Sequence, residues 1–514
     1  MTPPTDQRDQ PDQDQLDRID HFVGGRRVEG RSGRTAPVYD PATGSLTAEV
    51  TLAGPDEVDA AVAAAAEAFP GWRATSLARR IGIYFRYRQL IDERRDQLAA
   101  VVTAQHGKVH ADALGEVARG LENVEFACGI PQLLKGGHSE QVSSGVDVHE
   151  LRQPLGVVAG ITPFNFPVMV PLWMMANAVA CGNTFVLKPS EKDPGAPLLL
   201  AEWFSEAGLP PGVCNVVQGD KPAVERLLDH PQVQAVSFVG STPVARAVYE
   251  RGTAAGKRVQ ALGGAKNHMI VLPDADVDMA ADAAVSAAYG SAGERCMAVS
   301  VVVPVGEVAD PLVEAIVARL GKLAIGPGND PSSEMGPLVT AEHRDRVASY
   351  VGRGADEGAT VVVDGREAGV PTEGYFLGAS LLDHVEPHMA AYRDEIFGPV
   401  LSVVRAATFD DALGLVNDNP YGNGTAVFTR DGGAARRFAA EVQAGMVGVN
   451  VPIPVPVGWY SFGGCKDSLF GDTHVYGPEG VHFYTRTKVV TTRWPDPATS
   501  SVDLGFPSGD GRPG

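Results

Sequence analysis

The stretch AGERCM, residues 292–297, sets Arg295 directly before Cys296 among small residues. Small neighbours let a substrate reach a thiol, and an adjacent guanidinium favours the nucleophilic thiolate. A lone cysteine is more often a small core residue, but the arginine argues against full burial. The remaining cysteines are Cys128, Cys181, Cys214 and Cys465, with no CxxC pair. Disulfide scaffolding and a zinc ribbon are therefore poor readings, and no metal site is expected. Three further groups carry chemistry. Lys188-Pro189-Ser190-Glu191 closes the apolar run TFVLK. At the carboxyl end of a parallel strand its lysine and carboxylate can clasp ribose hydroxyls, or they form a solvated surface pair. Gly240-Ser241-Thr242-Pro243 follows AVSFVG, and such a strand–glycine–helix junction aims free N–H groups at phosphate. There Ser241 can cap and Pro243 suits the first helical turn. The junction lacks GxGxxG, so an ordinary βα turn stays open. Finally, Asn165 in TPFNFP either pins its loop or offers its amide to an oxyanion.

These groups need a frame. From residue 155 to about 261 apolar runs alternate with helical patterns: strands LGVVAGI, TFVLKP, VCNVVQG and AVSFVG, helices AEWFSEAGL, AVERLLDH and PVARAVYERG. That alternation predicts a parallel, doubly wound sheet. A second α/β set follows Gly263, with VSVVVPV, ATVVVDG and PVLSVVRA as strands. Upstream, AGPDEVDAAVAAAAEAFPGW is a helix opened by acidic residues. RRIGIYFRYRQLIDERRDQLAAVVTAQHG reads as one amphipathic helix ended by Gly107, and ALGEVARGLENVEFACGIPQLL as another. GGHSEQVSSGVDVHELRQP reads as a hairpin. VHFYTRTKVVTTRW is a β-prone segment with no local partner, which suits an arm pairing with another subunit.

The net charge is −20, which disfavours nucleic acid and anionic membrane. Residues 153–188 carry no charged residue before the last, Lys188, yet Pro154, Pro163, Pro167 and Pro171 interrupt them; a spanning helix needs roughly 20 continuous apolar residues. The polar, acidic start has no apolar h-region. A cytoplasmic protein with free thiols is expected, with a disordered leader at 1–18 and a disordered tail at 496–514.

TPFNFP, KPSE, SFVGST, LGG, a cysteine about 34 residues on, EIFGPV at 395–400 and PYGNGTAVFT at 420–429 occur here in this order. Over residues 21–494 the chain thereby resembles the aldehyde dehydrogenase superfamily. The resemblance implies an α/β fold: a Rossmann-type NAD domain (19–135 and 154–262), an α/β catalytic domain (263–479) and a β-arm for oligomerisation (136–153 and 480–495). It implies Cys296 as nucleophile, with Asn165 and the Cys296 N–H as oxyanion hole. Lys188 and Glu191 would hold the adenosine ribose, Ser241 the pyrophosphate and Glu395 the nicotinamide ribose; Thr162, Phe164, Lys192 and Gly263 also fall at the cofactor site. Glu191 would favour NAD over NADP, an effect softened by Lys192.

One departure is informative. The family's glutamate before Leu-Gly-Gly, which activates water, is Ala261 here, and a methyl group is no base. The thioester would wait for a better nucleophile, which points to coenzyme A. With GERCMAVS, GGAKNH, GVNVPIPVPV, SFGGCKDSLFGD and FYTRTKVVT, the chain resembles the CoA-acylating, methylmalonate-semialdehyde branch. Its substrates are small carboxylated semialdehydes, including that of valine catabolism. Their carboxylate needs a cation: Arg295, and Arg119 on a helix expected to border the substrate tunnel. Alternatively Arg119 is a helix-surface ion pair, since Glu116 and Glu122 lie three residues either side. A homotetramer, as a dimer of dimers, is expected. The competing reading is a hydrolytic NAD-dependent enzyme releasing free acid, with Glu294 as base by position alone.

Overall fold

The computed structural model describes residues 16–494. The expected tail at 496–514 and most of the expected leader lie outside these residues. The leader's last residues do not stay loose: Asp17–Ile19 is a strand that pairs in parallel with Ser45–Thr51.

An eight-stranded sheet carries the first half of the chain. Its order is Leu469–Phe470, Arg258–Leu262, Val233–Val239, Val157–Ile161, Thr184–Lys188, Cys214–Val216, His21–Val23, Arg26–Val28. The five strands from Arg258–Leu262 to Cys214–Val216 run parallel. The remaining three are antiparallel additions, and Leu469–Phe470 comes from the far half of the sequence. Val157–Ile161 and Thr184–Lys188 are buried at every position. Continuous apolar runs are what a sheet covered on both faces demands, and separate cores fill its two sides. A seven-stranded sheet follows, parallel except for the edge strand Thr360–Val363, over its own core. The fold is thus α/β with two sheet-centred halves.

Two expected helices are each divided. Leu77–Glu93 and Arg95–His106 meet at Arg94, which leaves helical geometry at φ −112°. The intervening residues 92–97 are polar throughout, so nothing apolar holds one continuous face down. His110–Cys128 ends at Gly129, and Pro131 opens a separate short turn. The β-prone segment near the end does have a partner in its own chain. Thr485–Arg493 pairs antiparallel along the whole of Val146–Pro154, beside His138–Ser143. Sequence distance hid that pairing, because strand partners more than three hundred residues apart leave no local signal.

No described helix is long and apolar enough to cross a membrane. The helix Met169–Ala180 is wholly buried but has only 12 residues.

Candidate active site

Cys296 lies between the two halves. The chain reaches it through Ser291, Ala292 and Gly293, at φ 53°, 51° and 74°. Left-handed backbone costs about 1–2 kcal/mol at a non-glycine residue, so two such residues in succession mark a turn the surroundings enforce. Phe397, at φ 60°, stands across the same cleft.

Two cavities meet at Cys296. One, about 410 Å³, is lined by Arg119, Arg295, Phe166, Trp173, Met297 and Phe462 besides the thiol. The other, about 470 Å³, is lined by Asn165, Ser241, Gly263, Glu395 and His343. Through Phe164, Gly240 and Ser241 the second borders a further cavity of about 590 Å³, which holds Thr162, Lys188, Glu191 and Lys192. Every site residue expected from the sequence therefore falls along one path.

The thiol's electrostatics correct the sequence reading. Cys296 is partly exposed, yet its pKa is pushed up to about 12, first by burial and next by the facing Glu395. The Cys296 and Met297 N–H groups and Arg295 pull the other way and lose. Arg295 does little for the thiolate because its guanidinium pairs with Asp112, Nη2 to Oδ1 at 2.7 Å. Arg119 is engaged as well: Nη1 donates to both Glu122 oxygens at 2.9 Å, and Nη2 to the Val455 and Pro456 carbonyls at 3.2 and 2.7 Å. Both arginines line the cavity while held in place. Glu116, the other expected neighbour, is buried and pairs with Lys108 instead.

Asn165 is 4% exposed. Its Nδ2 donates to the Glu294 carbonyl at 3.0 Å, leaving its second amide hydrogen unassigned, and its own carbonyl accepts from Lys108 Nζ at 2.6 Å. Glu294 is fully buried, with His106 and His343 near its carboxyl at 3.6 and 3.5 Å. Burial pushes its pKa up to about 8. Its carboxyl lines none of these cavities. Ala261 is 0% exposed, in one apolar cluster with Phe238, Val259 and Phe470. No carboxylate stands there.

Along the longer cavity, Lys188 Nζ meets Glu191 at 3.3 Å, and the lysine side chain is only 7% exposed. That is no solvated surface pair. Lys192 Nζ lies 4.6 Å from the Phe164 ring centre, a cation–π distance. Ser241 is the N-cap of the helix Thr242–Ala254 but makes no capping bond. Pro243 occupies the second helical position and has no N–H to be capped. The hydroxyl and the helix's first N–H groups are left for an anion. The buried Thr162 Oγ1 likewise has no partner. Glu395 Oε1 accepts from Ala265 N–H at 2.8 Å, and burial lifts its pKa to about 7. Gly263 has no room for a side chain: a Cβ would stand 2.7 Å from the Asp467 carbonyl.

Sequence reasoning missed Asp112, Lys108, His343, Arg346 and Tyr421, the last three also lining the thiol's cofactor-side cavity. Asp112 and Lys108 flank an expected helix start, but nothing local ties them to residues 295 or 165.

Two sheet-centred α/β halves, with an uncapped helix N-terminus on one and a thiol loop in left-handed backbone on the other, face each other across these cavities. The chain belongs to the aldehyde dehydrogenase family, oxidoreductases of aldehydes, whose profile it matches over residues 28–490. It is 53% identical over 494 residues to the malonate-semialdehyde dehydrogenase of Pseudomonas aeruginosa, covering 95% of this chain and 99% of that one. Malonate-semialdehyde dehydrogenase 2 of Geobacillus kaustophilus is 51% identical, covering 93% and 99%. Among solved structures, the methylmalonate-semialdehyde dehydrogenase DddC of Oceanimonas doudoroffii superposes with TM-score 0.93 at 52% identity, covering 94% and 99%. A Sinorhizobium meliloti protein crystallised with NAD gives 0.93 at 51%, covering 95% and 100%.

Proposed function

We propose that this chain oxidises malonate semialdehyde or methylmalonate semialdehyde with NAD and transfers the acyl group to coenzyme A. The observation that carries this reading is the meeting at Cys296 of a cavity bearing two arginines with a cavity leading to Lys188, Glu191 and Ser241. Relatives near 50% identity named for these semialdehydes support it.

The cleft fits NAD. The uncapped N-terminus at Ser241 and the orphaned Thr162 hydroxyl suit a pyrophosphate, and Lys188 with Glu191 suits a ribose diol. Glu395, whose Oε1 accepts from the Ala265 N–H, suits the second ribose through its other carboxylate oxygen. Glu191 would repel a ribose phosphate. Bound there, NAD supplies the acceptor for the hydride leaving the aldehyde carbon.

Arg295 and Arg119 orient the substrate carboxylate within the cavity. The Cys296 thiol gives its proton to water as sulfur bonds the aldehyde carbon and the carbonyl pair moves to oxygen, and the resulting oxyanion takes hydrogen bonds from Asn165 Nδ2 and the Cys296 N–H. Loss of hydride leaves a thioester on sulfur. With Ala261 apolar, Glu294 away from the cavities and Glu395 given to the nicotinamide ribose, this reading leaves no carboxylate to activate water at that ester. The CoA thiolate then takes the acyl group and returns the Cys296 thiolate. The substrate carboxylate leaves as carbon dioxide, the bonding pair staying as the thioester enolate, whose α-carbon takes a proton from water to give acetyl-CoA or propionyl-CoA.

On this reading residues 19–135 and 154–262 form the NAD domain, 263–479 the catalytic domain, and 136–153 with 480–495 an oligomerisation arm, with Leu469–Phe470 lending a strand to the first sheet. The exposed strand Thr485–Arg493 presents an edge for a second copy, consistent with a homotetramer of cytoplasmic subunits. NADH formation from malonate semialdehyde, measured with and without CoA, tests the function. Sustained turnover only with CoA is expected; equal turnover without it refutes the acyl-transfer reading.

A further inference from the structure

Beneath the wall between the two cavities lies a buried ion pair that the chemistry above does not use. Lys108 and Glu116 have side chains 1% and 0% exposed, with Nζ and Oε2 at 2.7 Å. Lys108 Nζ also donates to the Asn165 carbonyl at 2.6 Å and sits 4.4 Å from the Phe166 ring centre. The second carboxylate oxygen, Glu116 Oε1, accepts from the Val168 and Met169 N–H groups at 2.7 and 3.1 Å. One ion pair thus fastens both ends of residues 165–169, the turn that carries Asn165 into the helix Met169–Ala180.

Burying two charges is costly, and an apolar pair of similar volume often serves stability as well. What an apolar pair cannot do is hold three backbone groups of one turn at fixed positions. The side-chain amide of Asn165 is otherwise directed only by its bond to the Glu294 carbonyl. Oxyanion stabilisation depends on donors already in place when charge develops, and small displacements of such a group are expensive.

We propose that Lys108 and Glu116 are positioning residues that set the Asn165 amide for oxyanion binding. The inference rests on the reading of Asn165 as an oxyanion donor. Glu116 borders the cavity that bears the arginines, but both charged groups are buried against each other and act through the 165–169 turn.

The test is a double-mutant cycle read on the pre-steady-state NADH burst with propionaldehyde, which needs neither arginine nor CoA. Asn165→Ala should slow the burst about 10²–10³-fold, as removal of an oxyanion donor does elsewhere. Lys108→Met should slow it at least tenfold, with the dissociation constant for NAD within twofold of wild type. In the Asn165→Ala background, Lys108→Met should cost nothing further, since the amide it positions is gone. Glu116→Gln keeps an acceptor for the Val168 and Met169 amides and should show the same non-additivity, which keeps the test open if Lys108→Met does not fold. Losses that add across the cycle, or none in the Asn165-containing background, would overturn the positioning role alone. A wild-type burst in Asn165→Ala would instead overturn the oxyanion reading, and the positioning role with it.

Discussion

The cofactor-free thiol should be a poor nucleophile, and the amount follows from its surroundings. Burial and Glu395 raise the Cys296 pKa from the usual thiol value of 9.0 to about 12. Three units are about 4 kcal/mol of extra cost for ionisation. At pH 8 the thiolate fraction is then about 10⁻⁴, against about 10⁻¹ for an ordinary thiol. A more basic thiolate is intrinsically more reactive, with a Brønsted slope of about 0.4–0.5, which returns about twentyfold. Iodoacetamide should therefore alkylate Cys296 about fiftyfold more slowly than an exposed cysteine at pH 8, followed by peptide mass. The rate should climb tenfold per pH unit through pH 10 without a plateau. Glu395→Gln should accelerate it at pH 8, where a carboxyl with pKa about 7 is mostly ionised. Arg295→Gln should change it little, because that guanidinium is committed to Asp112. A plateau below pH 9, or a loss beyond tenfold in Arg295→Gln, would refute the argument.

Arg295→Lys and Arg119→Leu should each raise KM for malonate semialdehyde far more than for propionaldehyde, by about 2–4 kcal/mol for one charged contact to a desolvated carboxylate; equal effects on both aldehydes would make the arginines structural. Glu191→Ala should weaken NAD and relax discrimination against NADP, which competitive titration of the two cofactors measures; an unchanged ratio would place the ribose elsewhere. Glu294 prefers its neutral form in the fold, with a pKa raised from 4.5 to about 8. Its contribution to stability is full below the unfolded value and is lost as pH rises toward 8. The melting temperature of wild type should accordingly fall relative to Glu294→Gln across that window, by a difference worth a few kcal/mol, whereas parallel curves would show that the carboxyl is not held neutral.

Much of this was legible because of how buried strands read. Val157–Ile161 and Thr184–Lys188 are buried at every position, and the residues ending or following such runs, Asn165, Lys188, Glu191 and Ser241, line the cleft. Pairings over long sequence separation were not legible. The partner of Thr485–Arg493 lies more than three hundred residues upstream, and Arg295 meets Asp112 across 183 positions of sequence. Protonation was misread for the same reason: Arg295 adjoins Cys296 in sequence, but the thiol's pKa is set by burial and by Glu395, a hundred residues away. Lys108 gave no signal and Glu116 entered only as a possible surface partner of Arg119, because eight residues of spacing across a helix start say nothing about burial.

The central claim is that Cys296 carries an acyl group only CoA removes. It is tested most directly by mixing enzyme with NAD and malonate semialdehyde, quenching rapidly and weighing the Cys296 peptide. Without CoA, the account predicts one equivalent of NADH, a stalled reaction and an acyl adduct on Cys296 that added CoA discharges within the turnover time. Steady turnover without CoA, free acid as product and no adduct would contradict it.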